Sequence, residues 1–244
     1  MLNFVRMEFF KLKNSKIFLL SLLASITPAL LVHLGLSGRL DYGEPITFAL
    51  LSSQTNLYML CIFGVLLITI AVAYLFSREF SEHTIKSVLP TPISRAKYLL
   101  GKSVAFLIWI LILCTVCFIA SLLLSYITGT VGISVDLILK YFSEMIFGGF
   151  LLFLVMSPLI FISMLMKNMV PAMIAAAILT FGNIIAYGHS QAIYWPWTLP
   201  AIASAGEIAN YTTDPFIVFF IISATFIVGL SLSYLYLTKK DLRL

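Results

Sequence analysis

Charge is what this sequence has least of: Asp, Glu, Lys and Arg make up 10% of its 244 residues, against roughly 25% in a soluble domain. A chain that is 61% apolar has too much such surface to hide from water, and no polar block is long enough to fold alone. The apolar runs follow one another with short gaps, so the expectation is one membrane domain spanning residues 1–244. Cysteine is scarce too. Cys61, Cys114 and Cys117 all lie inside apolar runs, at spacings unlike a disulfide framework or a zinc ribbon, and read as packing residues. There are three histidines, and His33 and His189 have no second ligand at useful spacing, which argues against a metal site. No H-E-x-x-H or comparable constellation is present, which argues against an intramembrane enzyme.

What is present is a series of long apolar segments. A helix needs about 20 such residues to cross the roughly 30 Å hydrocarbon layer with every backbone polar group paired internally. Six segments qualify, at about 17–36, 57–76, 105–127, 146–166, 169–187 and 215–237, giving an all-α integral membrane fold with six transmembrane helices. Pro28 and Pro158 fall within spans and predict kinks, while Pro171 sits near a helix start, where its missing donor does little harm. The first apolar segment is too long for a signal-peptide core and ends in no convincing cleavage site, so it is expected to be a retained span.

Of the 15 basic residues, only Arg39 and Lys140 fall on one side of this arrangement. The rest precede the first span (Arg6, Lys11, Lys13, Lys16), lie between the second and third (Arg78, Lys86, Arg95, Lys97, Lys102), mark the turn at Lys167, or form the tail (Lys239, Lys240, Arg243). The positive-inside rule then places both termini in the cytoplasm, which requires an even number of spans. The net positive charge follows from this topology and from anionic lipid, with no nucleic-acid partner implied. Before the first span, Leu2, Val5, Phe9 and Leu12 recur at helical spacing, bordered by Arg6 and Lys13, and predict an interfacial helix over 1–16 that lies on membrane lipid.

The connection over 77–102, SREFSEHTIKSVLPTPISRAKYLLGK, is far longer than a link between two helices requires. It mixes charges with Ile85, Val88, Leu89 and Ile93, a composition suited to docking. Glu79, Ser81, Glu82, His83, Thr84 and Ile85 can form a short helix whose acidic start suits the helix dipole. Pro90 and Pro92 then end it and turn the chain back toward the bilayer. Gly101, Lys102 and Ser103 have the ending of a phosphate-binding loop. Ala96 stands where that loop needs glycine and no strand precedes it, so the chain itself is not expected to bind ATP.

This loop resembles that of the ABC-2 permeases in Glu79 or Glu82, Thr84, Leu89, Pro92, Ile93, Ser94, Arg95, Gly101 and Lys102, with His83 where the family commonly has glycine. The resemblance implies the membrane subunit of an ATP-driven exporter in a bacterial plasma membrane, multi-pass, working as a homodimer or with a related permease. It implies a cytoplasmic coupling helix over Glu79–Ile85 that fits two separate ABC ATPase subunits, and a turn and re-entry at Pro92, Ser94, Arg95 and Lys102. ATP and Mg would be bound by the partner, with no cofactor on this chain. It also implies that the second and fifth spans line the route. The apolar candidates there, Tyr58, Met59, Phe63 and Phe181, suggest an amphipathic or apolar cargo such as a peptide antibiotic, a drug or a lipid-like molecule.

Beyond the fifth span, Tyr194, Trp195 and Trp197 suit interfacial anchoring, and the resemblance to ABC-2 permeases implies a short helix over residues 201–210 that closes the outer mouth. Asp136, Lys140 and Glu144 recur at intervals of four, and opposite charges at that spacing pair without needing a ligand. Gly148, Gly149, Ala175–Ala177 and Gly182 offer small surfaces for close helix approach. The other functional readings are an ion-coupled secondary transporter, for which Glu144 alone is near the spans, and a membrane assembly protein that transports nothing.

Overall fold

The computed structural model describes residues 6–8, 10, 15–41, 45–81, 94–212 and 214–239, and the side chains of these except 39–41 and 78–81. Among the described residues the regular elements are all helical, and six helical stretches are long and apolar enough to cross a membrane: Lys16–Gly38, Phe48–Ser77, Arg95–Thr128, Val135–Val155, Met169–Ala186 and Phe216–Lys239. The chain is an all-α integral membrane protein. Six crossings put the start of the first, the end of the second, the start of the third and the end of the sixth on one face of the bundle, called the connector face after the 82–93 connection in the sequence; the opposite one is the distal face.

The first crossing is two helices, α1 (Lys16–Ala24) and α2 (Thr27–Asp41). The break at Ser25 falls where Pro28 predicts it, because proline fits only the first turn of the helix that follows. Ser25 Oγ donates to the Leu22 carbonyl at 2.7 Å, satisfying an acceptor that the break releases.

The second crossing starts at Phe48, ahead of the expected start near 57. The polar run Ser52–Asn56 has the composition of a loop. The helix α3 (Phe48–Tyr58) nevertheless holds it, because three of its side chains find a partner for their donors: Thr55 Oγ1 donates to Leu51 O at 2.8 Å, Ser53 Oγ to Leu50 O at 3.1 Å, and Asn56 Nδ2 to Tyr141 O at 3.1 Å. A single π turn, Met59–Phe63, joins α3 to α4 (Gly64–Ser81). This crossing is the centre of the bundle: 78% of its apolar window is buried, against 22–44% in the others.

The third crossing, α5 (Arg95–Thr128), is 34 residues long, about 51 Å at 1.5 Å per residue. It begins well before the expected 105, because Ser94 caps it by accepting from Lys97 N at 3.3 Å, and ends at Gly129, whose φ of 67° closes the last turn. The fourth was expected at 146–166. The helix long enough to cross is α6 (Val135–Val155), started by the Ser134 cap and Asp136 in its first turn, so the stripe expected to pair at intervals of four lies within the crossing itself.

After a bend at Met156, α7 (Ser157–Met166) carries Pro158 in its first turn. The fifth crossing is α8 (Met169–Ala186) and the sixth α10 (Phe216–Lys239), with the short α9 (Leu199–Ser204) between them on the distal face. The turn from α7 to α8 passes through Lys167 in the left-handed region, φ 53°.

Helices α7 and α10 pack at backbone distance. Ser157 Oγ donates to Thr225 O at 3.1 Å and to Phe226 O at 3.3 Å, and a β-carbon on Gly229 would lie 2.5 Å from the Pro158 nitrogen. Backbone cannot yield as a side chain can. Gly229→Val should therefore lower stability by about 1–3 kcal/mol, read as thermal unfolding in detergent. An unchanged melting curve would mean that the two helices do not hold this approach.

Candidate functional site

The chemistry-bearing side chains gather at the two ends of the bundle. At the connector face, α4 and α5 run out on either side of residues 82–93. Lys102, on α5, is 1% exposed. Its Nζ donates to Leu75 O of α4 at 2.5 Å, lies 3.5 Å from Glu8 Oε2, and sits over the rings of Tyr98 and Phe76 at 5.2 and 5.9 Å. A buried ammonium is tolerable only when so paired. The long stem of lysine passes the apolar wall and delivers the charge where α5, α4 and the N-terminal segment meet.

Arg95, in the first turn of α5, donates from Nη1 to Leu237 O and Thr238 O, both at 2.7 Å. A cation at the end of α10 satisfies carbonyls that have no partner within that helix and suits its dipole. The connector's exit thus joins α4, α5, α10 and the chain's beginning.

Of the residues expected at the turn and re-entry, Ser94 caps α5 and Arg95 and Lys102 lie on its first turns, tied to α10 and to α4 respectively. Glu79 and Ser81 lie on the last turn of α4, continuous with it, and their side chains are not described. Glu82, His83, Thr84, Ile85 and Pro92 lie outside the described residues, as do Leu2, Val5, Phe9 and Leu12 of the expected interfacial stripe. Arg6 and Phe10 are helical and exposed, with the guanidinium 5.7 Å from the ring centre. Sequence reasoning passed over Glu8. A lone carboxylate in an otherwise basic start was the signal available.

The distal end is organised by Asn183 of α8, fully buried. Its Nδ2 donates to Cys61 O at 2.7 Å and to Trp197 O at 3.3 Å, while its Oδ1 accepts from Trp195 Nε1 at 2.7 Å. Cys61 lies in the π turn, which disturbs the regular carbonyl ladder, and the Asn183 amide reaches the carbonyl there. Trp195 also packs on Gly182, where a β-carbon would come within 2.7 Å of its ring, and its ring centre is 5.3 Å from that of Trp197. Trp195 and Trp197 are half-buried and Tyr194 is exposed. Asn183 was not singled out from the sequence, although an amide within an apolar run is costly without partners and is a signal in itself.

The four lining candidates do not share one space within the subunit. Met59 is buried in the core, Phe63 is half-buried, and Tyr58 packs beside a small cluster of Val32, Ile46 and Leu51. Phe181 points away from the bundle, 68% exposed. Ala172, Ala176 and Thr180 seat the fifth crossing against the rest of the bundle, while Ile174, Ile178 and Phe181 form its open face.

Near Asn183 a partly closed cavity of about 110 Å³ lies between α3, α6 and the distal loop, with Asn56, Leu57, Glu144, Tyr187, Ser204 and Glu207 on its walls. Lys140 approaches Glu144 at 3.9 Å, with the lysine side chain 59% exposed and the glutamate 15%. Tyr187 Oη donates to Glu207 Oε2 at 3.5 Å. Burial first, and then the Glu207 carboxylate, push the Tyr187 phenol upward, and Tyr211 shifts the same way for the same two reasons. Both phenols stay neutral, so Tyr187 remains a donor. Among the described residues, no three of His, Cys, Asp and Glu come together as metal ligands would.

A bundle of six apolar helical crossings, with an ion pair and carbonyl caps at one end and a buried amide network at the other, is the fold of a multi-pass membrane protein. The chain belongs to the ABC-2 family of transporter proteins: the profile described as "ABC-2 family transporter protein" matches residues 4–183. It is similar to the bacitracin transport permease protein BCRB of Bacillus licheniformis, at 35% identity over 199 residues, covering 81% of this chain and 95% of that protein. This is a multi-pass membrane transport subunit.

Proposed function

We propose that this chain is the membrane half of an ATP-driven exporter in a bacterial plasma membrane, with both termini in the cytoplasm. Two copies, or one copy and a related permease, would work with two ABC ATPase subunits that dock on the 77–102 connection and bind ATP and Mg. The observation that carries this reading is the Lys102 tie. It joins the two helices that flank the connection to each other and to the N-terminal segment, so a push on the connection moves α4 and α5 together. Since α4 continues the most buried crossing, that movement reaches the core. The distal loop, held to the same crossing through Asn183, would follow, and the outer mouth would open as the inner one closes. An amphipathic peptide antibiotic is the favoured cargo, given the family and the relative that carries bacitracin in its name.

The test is Glu82→Lys. With the partner ATPase co-produced, the variant should insert and accumulate as the parent does, while ATP-dependent export of bacitracin from vesicles falls at least ~10-fold, the loss that about 1.4 kcal/mol at a docking contact produces. Unchanged export would remove the connection from the coupling path. The carboxylates of the distal cavity favour one other reading, an ion-coupled carrier. That reading requires the chain alone, in vesicles with a proton gradient and no ATPase, to accumulate cargo. The present one predicts none.

A further inference from the structure

The distal cavity holds two carboxylates and a buried amide; the Ser53 and Ser204 hydroxyls on its walls donate to backbone carbonyls of their own helices, and Gln54 is the other amide there. Glu144 and Glu207 both line it. Asn56 lines it as well, and this side chain is 6% exposed. The Asn56 amide has a fixed orientation, since its Nδ2 is committed to Tyr141 O. Its Oδ1 is therefore the free end, buried and without a hydrogen-bond partner. A buried amide oxygen left unpaired costs on the order of 1–3 kcal/mol, and a carboxylate near the apolar layer costs more. The cation beside Glu144 is Lys140, a long contact at 3.9 Å from a side chain mostly in solvent. Tyr187 supplies one neutral donor, to Glu207.

We propose that this cavity binds the protonated primary amine of an amphipathic molecule. An ammonium has three N–H donors and no acceptor, which complements two carboxylates and an amide oxygen. Leu57, Leu60 and Ala201 on the same walls suit the methylenes beside the nitrogen. At about 110 Å³ the space corresponds to roughly three or four waters, enough for an ammonium on a short alkyl stem. A divalent metal fits less well, because the described residues bring no three metal-ligating side chains together. The same ammonium chemistry belongs to an amine-bearing cargo and to an aminolipid headgroup. The proposal deepens the reading of the chain as a transport subunit, and rests on that reading only for what binding accomplishes.

The test uses the full chain alone in phosphatidylcholine nanodiscs, so it is independent of any ATPase and of transport. The probe is dansylcadaverine, a fluorescent primary amine on a five-carbon stem, and the control is its N-acetylated, uncharged derivative; binding is followed by anisotropy and by energy transfer from tryptophan. The amine should bind at least ~10-fold more tightly than the acetylated form, a difference of about 1.4 kcal/mol. Glu144→Gln and Glu207→Gln should each remove most of that preference. Lys140→Met, which withdraws the competing ammonium, should strengthen binding by roughly 2–3-fold.

Should Glu144→Gln fail to elute as the parent does, Glu207→Gln in the distal loop provides the reading. Equal binding of the two probes, a preference that survives both glutamine variants, or weaker binding in Lys140→Met would overturn the proposal. Replacing part of the lipid by phosphatidylethanolamine separates the sources: competition with the amine identifies the headgroup as an occupant, and unchanged affinity reserves the site for cargo.

Discussion

Replacing Lys102 by methionine should cost the protein about 3–5 kcal/mol of stability, the range for removing one member of a buried ion pair. Methionine fills similar volume, so the loss is electrostatic. The Leu75 carbonyl loses a donor at 2.5 Å, and the buried Glu8 carboxylate loses a cation at 3.5 Å. The double variant Lys102→Met with Glu8→Gln should recover at least half of the loss, because a neutral amide is far cheaper to bury than a charge. Denaturant or thermal unfolding of the four proteins of this cycle measures it. A single variant that costs under about 1 kcal/mol would show that the ion pair is not holding the connector face together. Surviving Lys102→Met protein should also export poorly, since α4 and α5 would no longer move as one.

The second large effect is at the distal end. Asn183→Ala leaves the Trp195 N–H and the Trp197 and Cys61 carbonyls without this amide, and creates a void beneath the loop. At about 1–3 kcal/mol for each buried group left unpaired, and with water able to reach some of them at this end, a total near 3 kcal/mol is expected. Thermal unfolding should register it, and tryptophan emission should shift to longer wavelength as Trp195 and Trp197 gain contact with water. Proteolysis within 188–212 should accelerate as the loop comes free. Unchanged emission would mean that the loop is held by its apolar contacts alone.

How far the sequence could be read differs from one element to the next, for physical reasons. The kink near Pro28 and the short start at Pro171 were legible because they are local properties of the backbone. The early start of the second crossing was not. Ser52 to Asn56 has the composition of a loop, and only the Tyr141 carbonyl, 85 residues away, gives the Asn56 amide a partner within the helix. The stripe of Asp136, Lys140 and Glu144 was legible as helical from its spacing of four, but the span was expected at 146–166, after it, because charge lowers the summed hydropathy; α6 carries the stripe within the crossing, with Glu144 at the wall of a cavity.

Lys102 shows the same limit at the connector face. By position it was a basic residue entering a span, and by composition it belonged with the charges that set topology. Its partner Glu8 lies across the fold, beyond any local pattern.

Apolar length and the distribution of lysine and arginine determined the class of protein, the number of crossings and the expected orientation, because transfer into a bilayer depends on composition summed over about 20 residues. Tertiary structure alone decided which polar residues within those stretches are tied together and which stand open. Asn183 and Asn56 carry the same amide, yet one is saturated by three partners and the other, at the wall of a cavity, keeps a buried oxygen without one. Hydrogen bonding depends on atoms within about 3 Å, and those atoms arrive from segments that the sequence holds far apart.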